Sequence, residues 1–261
     1  MSDTGPGELP DAELLAAALA AACADETDEG EVRWALVRAL HRRPTGIIFE
    51  QARSWCSGSR AVERTLGADI LAQLGTTLEG GPVPFAHESA QILSQLLCDA
   101  EEGVLMSALF ALGHLGAGEP AAIAKLAQHV SAGVRHAVAY ALGGRDDGHS
   151  INVLIALTSD PDAEVRDWAT FGLGSLSTID SHDVRDSLFA RLSDTDEEVR
   201  GEALVGLACR GDRRVVPLVI AELKKGKAGR LIFEAAERLV ENYPNDDELR
   251  EALGGKRHDA K

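Results

Sequence analysis

The chain has 261 residues, 45% of them hydrophobic and 4% aromatic, with 42 acidic residues against 26 basic ones and a formal net charge of −16. That excess of acid argues against a protein built to grip a nucleic-acid backbone. The apolar stock is mostly Ala, Leu and Val, which suits helices better than strands, and no apolar run reaches the roughly 18 residues of a membrane span. The start, MSDTGPGELPD, is acidic and lacks the basic region of a secretory leader. Cys23, Cys56, Cys98 and Cys209 lie far apart with no CxxC pair and no His at metal spacing. Reduced thiols in a cytoplasmic protein are therefore expected.

Residues 1–9 read as a flexible tail, and Pro10 to Ala24, rich in Ala and Leu, as a capping helix. From there one phrase recurs: an acidic turn, an apolar anchor, then a helix of small and apolar residues. The anchors are Val32, Leu66, Val104, Val134, Val165, Val199 and Leu231, at steps of 34, 38, 30, 31, 34 and 32 residues. Four positions on stand Leu36, Ile70, Ala108, Val138, Ala169, Ala203 and Ala235. Eight positions on there is always a leucine: Leu40, Leu74, Leu112, Leu142, Leu173, Leu207 and Leu239. Such a stripe is one face of an α-helix. Partner helices fall between the phrases, for example Ile151 to Leu157, Val184 to Leu192 and Val215 to Leu223.

The turns carry matching signals. Asp160-Pro161 reads as an N-cap with a first-turn proline, Asp194 and Glu197 have capping-box spacing, and Gly113, Gly143 and Gly174 read as left-handed helix closures. No segment alternates with period two, so no sheet is expected. The spacing predicts an all-α fold, a right-handed α-solenoid of about seven helix pairs forming a single array over residues 10–253. A kink is expected at residues 79–84, where the longest step coincides with a Gly/Pro loop, and residues 254–261 read as a second flexible tail.

The phrases DPDAEVRDWATFGLG and DTDEEVRGEALVGLA resemble HEAT repeats, especially the short HEAT-like units named for phycobilisome lyases. The likeness runs over residues 25–242 and is closest over 130–223. It implies a structural ladder between units, in which Arg33, Arg135, Arg166 and Arg200 meet the turn carboxylates Asp160, Asp162, Asp194 and Asp196. Leu66, Val104 and Leu231 are followed by Gly67, Leu105 and Ile232, so the ladder pattern is broken in those three units.

Position 6 after the anchor points away from the core stripe and holds Phe110, Tyr140, Phe171 and Val205 in four successive phrases. Position 2 adds His136 and Asp167, and position 3 adds Trp168 and Glu202. With aromatics this scarce, three in register suggest a partner-binding groove on the concave face; the competing reading is a second core seam between units. Asp167, Glu202, Glu234, Glu237 and Glu241 make that face acidic, so the expected partner is a protein with a basic surface. The single histidines His114 and His136 read as polar contacts, and Asp146 to His149 as a turn. Arg210, Arg213, Arg214, Lys224, Lys225, Lys227 and Arg230 form a basic run, open between an acidic-partner contact and solvated helix ends.

No GxSxG, P-loop, GxGxxG or HExxH signature is present, so no catalytic residue, metal site or cofactor is expected. The leading expectation is a non-catalytic protein-binding scaffold or adaptor, with an immunity-type inhibitor as one form of it. The resemblance supplies two alternatives: a HEAT-like DNA glycosylase acting on alkylated bases, suggested by Asp167-Trp168 although nucleic acid is disfavoured by charge, and a bilin lyase or chaperone. The oligomeric state stays open.

Overall fold

The leucine at the eighth position of each phrase is buried in all seven copies, and so is the apolar residue at the fourth. The stripe read from the sequence is thus the core. A computed structural model describes residues 9–24, 31–76, 83–226 and 228–254. Residues 1–8 and 255–261 of the two expected tails, most of the 79–84 loop and Lys227 lie outside the described residues. Those residues are helical throughout, with no strand among them, and form two compact units, one within 1–126 and one within 127–261.

In the first unit the helices are α1 (Asp11–Ala24), α2 (Glu31–His41), α3 (Gly46–Cys56), α4 (Ala61–Ala72), α5 (Ala86–Gln95), α6 (Glu102–His114) and α7 (Pro120–Ala124). Anchors Val32, Leu66 and Val104 lie on α2, α4 and α6. Helix α4 packs against α2 and α6, the other anchor-bearing helices, and against α3 and α5. Leu66 and Val104 are fully buried, whereas Val32 is 57% exposed, so the outermost phrase closes its core from Leu36 onward.

In the second unit the helices are α8 (Ala132–Leu142), α9 (Gly148–Leu157), α10 (Ala163–Phe171), α11 (His182–Arg191), α12 (Glu197–Cys209), α13 (Val216–Lys224), α14 (Arg230–Asn242) and α15 (Asp247–Gly254). Helices α8, α10, α12 and α14 carry the remaining anchors and pack each on the next, forming one layer. Helices α9 and α11 pack on each other behind them, and α15 closes the end on α13 and α14. The architecture is therefore the expected α-solenoid of layered helix pairs, and none of its helices is long and apolar enough to cross a membrane.

The ladder is real but differs in membership. Arg135 grips Asp160 with both Nε (2.7 Å) and Nη2 (2.8 Å), while Nη1 donates to the carbonyls of His129 and Val130. Arg166 repeats the pattern on Asp194, at 2.9 and 2.8 Å, with Nη1 on the carbonyls of Asp160 and Pro161. Each arginine thus staples the turn before its own helix to the turn before the next, through a two-pronged charged contact. Arg200 keeps only the carbonyl half, to Asp194 and Thr195; among the described residues no turn carboxylate stands one unit on.

Arg33 is a correction: its guanidinium pairs with Asp69, inside α4, and not with a turn carboxylate. The second phrase, anchored in the sequence at Leu66, has a rung after all. Arg64 grips Asp99 at 2.7 and 3.0 Å and donates to the carbonyls of Gly58 and Ser59. Aligning on the stripe had placed the anchor one helical turn too late there. Arg166 and Arg64 hold the Asp194 and Asp99 carboxyls below the usual range, against the opposing effect of burial.

The caps move accordingly. Asp162, not Asp160, caps α10 by accepting from the amides of Glu164 and Val165, and Asp196, not Asp194, caps α12 from Glu198 and Val199. Asp160 and Asp194 are committed to the ladder, and each accepts from the amide two residues on. Asp147 caps α9, as the turn reading of Asp146 to His149 requires. Left-handed geometry falls at Gly116 and Gly144, not at Gly113, Gly143 or Gly174. Gly174 serves closeness instead: an added Cβ there would lie 3.0 Å from the Cα of Gly206, and one on Gly206 would lie 2.6 Å from the Cα of Gly174.

Candidate partner-docking face

Stacking of α8 against α10 brings four rings together: His136, Tyr140, Trp168 and Phe171. Trp168 is the hub. Its ring lies 5.5 Å from His136, 5.1 Å from Tyr140 in an edge contact and 5.7 Å from Phe171, also edge-on. All four are half-buried: the rings pack on one another and are not sealed from solvent. The line stops at Val205, which is buried. Burial lowers the His136 pKa, so its ring is neutral near pH 7, and raises that of the Tyr140 phenol.

Beside the rings stand two carboxylates. Asp167 is half-buried, and its Oδ1 is shielded from solvent with no hydrogen-bond partner among the described residues. Burial, with Glu198 and Asp196 nearby, pushes its pKa up to about 6. Glu202 is a correction to the expectation of an open acidic wall, since it is 8% exposed. Burial and the proximity of Asp167 raise its pKa to about 7, while its nearest cation, Arg230, stands at 4.0 Å.

Both carboxyls are easier to protonate folded than unfolded, where they titrate near pH 4. The folded state therefore binds more protons between about pH 4 and 7, and the stabilisation is lost as pH rises through that window. Unfolding free energy is expected to fall by on the order of 1–2 kcal/mol between pH 5 and 8, with solvent screening allowed for. The double change Asp167→Asn, Glu202→Gln should flatten that slope in urea melts run across the range. An unchanged slope would place the protons elsewhere.

The end of α10 is held unusually. Past Phe171 the chain makes a π-helical turn, Gly172–Leu176, which leaves carbonyls without helical partners. Arg210, at the end of α12, donates to the carbonyls of Leu173, Gly174, Ser177, Ile179 and Gly206. It therefore sets the hub's helix against α12. Counting Arg210 within a basic run concealed this.

The other described members of that run also disperse. Arg213 lies over the Tyr243 ring and Arg214 over Phe189, with Asp212 held by Arg214; Lys224 meets Glu248, Lys225 meets Glu222, and Arg230 meets Glu234. Of the sequence candidates, His136, Tyr140, Asp167, Trp168, Phe171 and Glu202 all belong to the second unit. Phe110 belongs to the first unit, where it lines a cavity with Trp34 and Asp69. Two ladder members were missed in the sequence, Arg64 and Asp99. The signal was there: Asp99 to Glu101 repeats the acid–x–acid turn of Asp160 to Asp162 and Asp194 to Asp196.

Comparison with known proteins gives the following. A family model for HEAT repeats matches residues 90–174, 122–208 and 151–240. Protein YibA of Escherichia coli is 32% identical over 210 residues, covering 77% of this chain and 73% of that one. The X-ray structure of Escherichia coli YibA is similar at a TM-score of 0.69 and 27% identity, over 97% of this chain and 94% of that one. The complex of CpcE and CpcF of phycocyanin lyase from Nostoc sp. shares the fold at a TM-score of 0.50 and 15% identity, over 99% of this chain and 98% of that one.

Proposed function

Because the chain belongs to the HEAT-repeat family, we propose that it is a non-catalytic scaffold that docks a basic, lysine- or arginine-bearing protein segment on the α8–α10–α12 face of its second unit. The observation that carries this reading is the shielded, unpartnered Oδ1 of Asp167 beside the Trp168 ring cluster. A buried carboxylate oxygen without a donor costs roughly 1–3 kcal/mol, and an incoming ammonium or guanidinium would relieve it. The electron-rich faces of Trp168 and Tyr140 attract the same cation, and Glu202 adds a second negative charge once ionised.

A duplex-holding glycosylase would need unengaged cations here, whereas Arg135 and Arg166 are held in the ladder and Arg230 by Glu234. The phycocyanin-lyase neighbour shares a fold and carries over no residue. Four unbridged thiols fit a reducing, cytoplasmic setting.

The test is fluorescence anisotropy with a labelled lysine/arginine octapeptide and its glutamate counterpart. Trp168→Ala is expected to weaken the basic peptide by about 10- to 100-fold, or 1–3 kcal/mol, and Asp167→Asn by about tenfold. Binding should tighten from pH 5.5 to 8 as the two carboxyls ionise. Equal binding of both peptides, or both variants retaining wild-type affinity, would refute the assignment.

A further inference from the structure

The first unit has its own cavity, of about 430 Å³, on the side of α2, α4 and α6 opposite their buried stripe. Its volume is that of a small-molecule pocket. The apolar part of its wall is Trp34, Met106 and Phe110, and Trp34 is 40% exposed at the rim. The polar part makes contacts within itself. Arg33 pairs with buried Asp69, the His41 ring Nε2 lies 2.8 Å from the Asp69 carbonyl oxygen, and the Gln73 side-chain amide lies 3.1 Å from His114 Nε2. Burial lowers the pKa of both histidines, so neither ring is charged near pH 7.

The charged groups of this pocket, Arg33 and Asp69, are thus engaged with each other inside the wall. An ionic ligand would shed its water and find no counter-charge, a loss of several kcal/mol. A neutral ligand loses little on entry and gains the apolar wall and the ring faces. We propose that the α2–α4–α6 cavity is a binding site for an uncharged, planar aromatic small molecule, held against the Trp34, Met106 and Phe110 side chains beside the Arg33–Asp69 pair. This site lies wholly in the first unit and does not depend on the docking reading of the second.

Charge selectivity is the test. The probes are indole, its cation tryptamine and its anion indole-3-acetate, titrated at pH 7.5 into the full chain. The readout is the NMR signals of the Trp34 and Trp168 indole N–H groups. Indole is expected to shift Trp34 in a saturable way and leave Trp168 unmoved, with both charged relatives at least tenfold weaker.

Gly103 lines the cavity, and a Cβ added there meets nothing within 4 Å. Gly103→Phe should therefore fill the site and weaken indole at least tenfold. Trp34→Ala, at the exposed rim, should do the same without touching the core; because it removes its own reporter, this variant is read by saturation-transfer NMR on the indole ligand. Asp167→Asn in the second unit should change nothing. Indole shifting Trp168 and not Trp34, charged relatives binding as well as indole, no saturable binding at all, or both first-unit variants binding as wild type would each overturn the proposal. If the peptide-docking test fails while these results hold, only the second-unit reading falls.

Discussion

Replacing Arg210 with alanine is expected to lower the unfolding free energy by about 3–5 kcal/mol, among the largest effects of any surface-to-interior substitution in this chain. A guanidinium has five N–H donors in a fixed fork, and here they serve five carbonyls, four of them at and just beyond the π-helical turn that follows Phe171. Alanine removes every donor and opens a gap between α10 and α12, where water can reach only some of those oxygens. Lysine offers one ammonium with no fork and should recover less than half of the loss. The control is Arg214→Ala. Arg214 is half exposed and serves the Asp212 side chain, so its loss should cost much less, because solvent screens that pair. Urea melts with unchanged m-value would make the comparison. If Arg210→Ala costs no more than Arg214→Ala, the carbonyl cage is not holding the turn.

The second large effect is expected from a substitution that helix propensity alone would favour. Gly206 lies within α12, where alanine is worth about 1 kcal/mol over glycine. Yet a methyl at Gly206 would stand 2.6 Å from the Cα of Gly174 and 3.1 Å from Leu188. The first neighbour is backbone and cannot rotate away, so α12 must move off the π-helical turn. Gly206→Ala is therefore expected to destabilise by about 2–3 kcal/mol. Gly103→Ala, in the first turn of α6 with open space around it, should be neutral or stabilising by up to about 1 kcal/mol. Thermal melts of the two variants side by side give opposite signs if close approach governs Gly206. A gain at both positions would mean that the two helices have room to spare.

Much of this was legible in the residues, for reasons that are local. The apolar stripe at positions 0, 4 and 8 is a property of one helix, so the burial of Leu40 through Leu239 could be read without knowing what each helix packs against. Acid–x–acid turns are local as well, because Asp162 and Asp196 cap helices that begin one residue later. The ladder partners of Arg135 and Arg166 were found because the likeness to HEAT repeats carried the pairing. Where the chain slipped by one helical turn against that pattern, Arg64 was overlooked and Arg33 was assigned to the wrong neighbour.

What the linear chain determined, then, is the period: which residues face inward, where helices start, and that pairs of them stack. Only the folded arrangement decided which side chains share a space. Trp168 becomes the hub of a ring cluster because α8 and α10 bring His136 and Tyr140 to within stacking distance of it. Glu202 becomes buried, and Arg210 leaves its basic neighbours for five carbonyls. Those outcomes depend on distances across helices some 30 residues apart, and the spacing of residues along one helix carries no information about them.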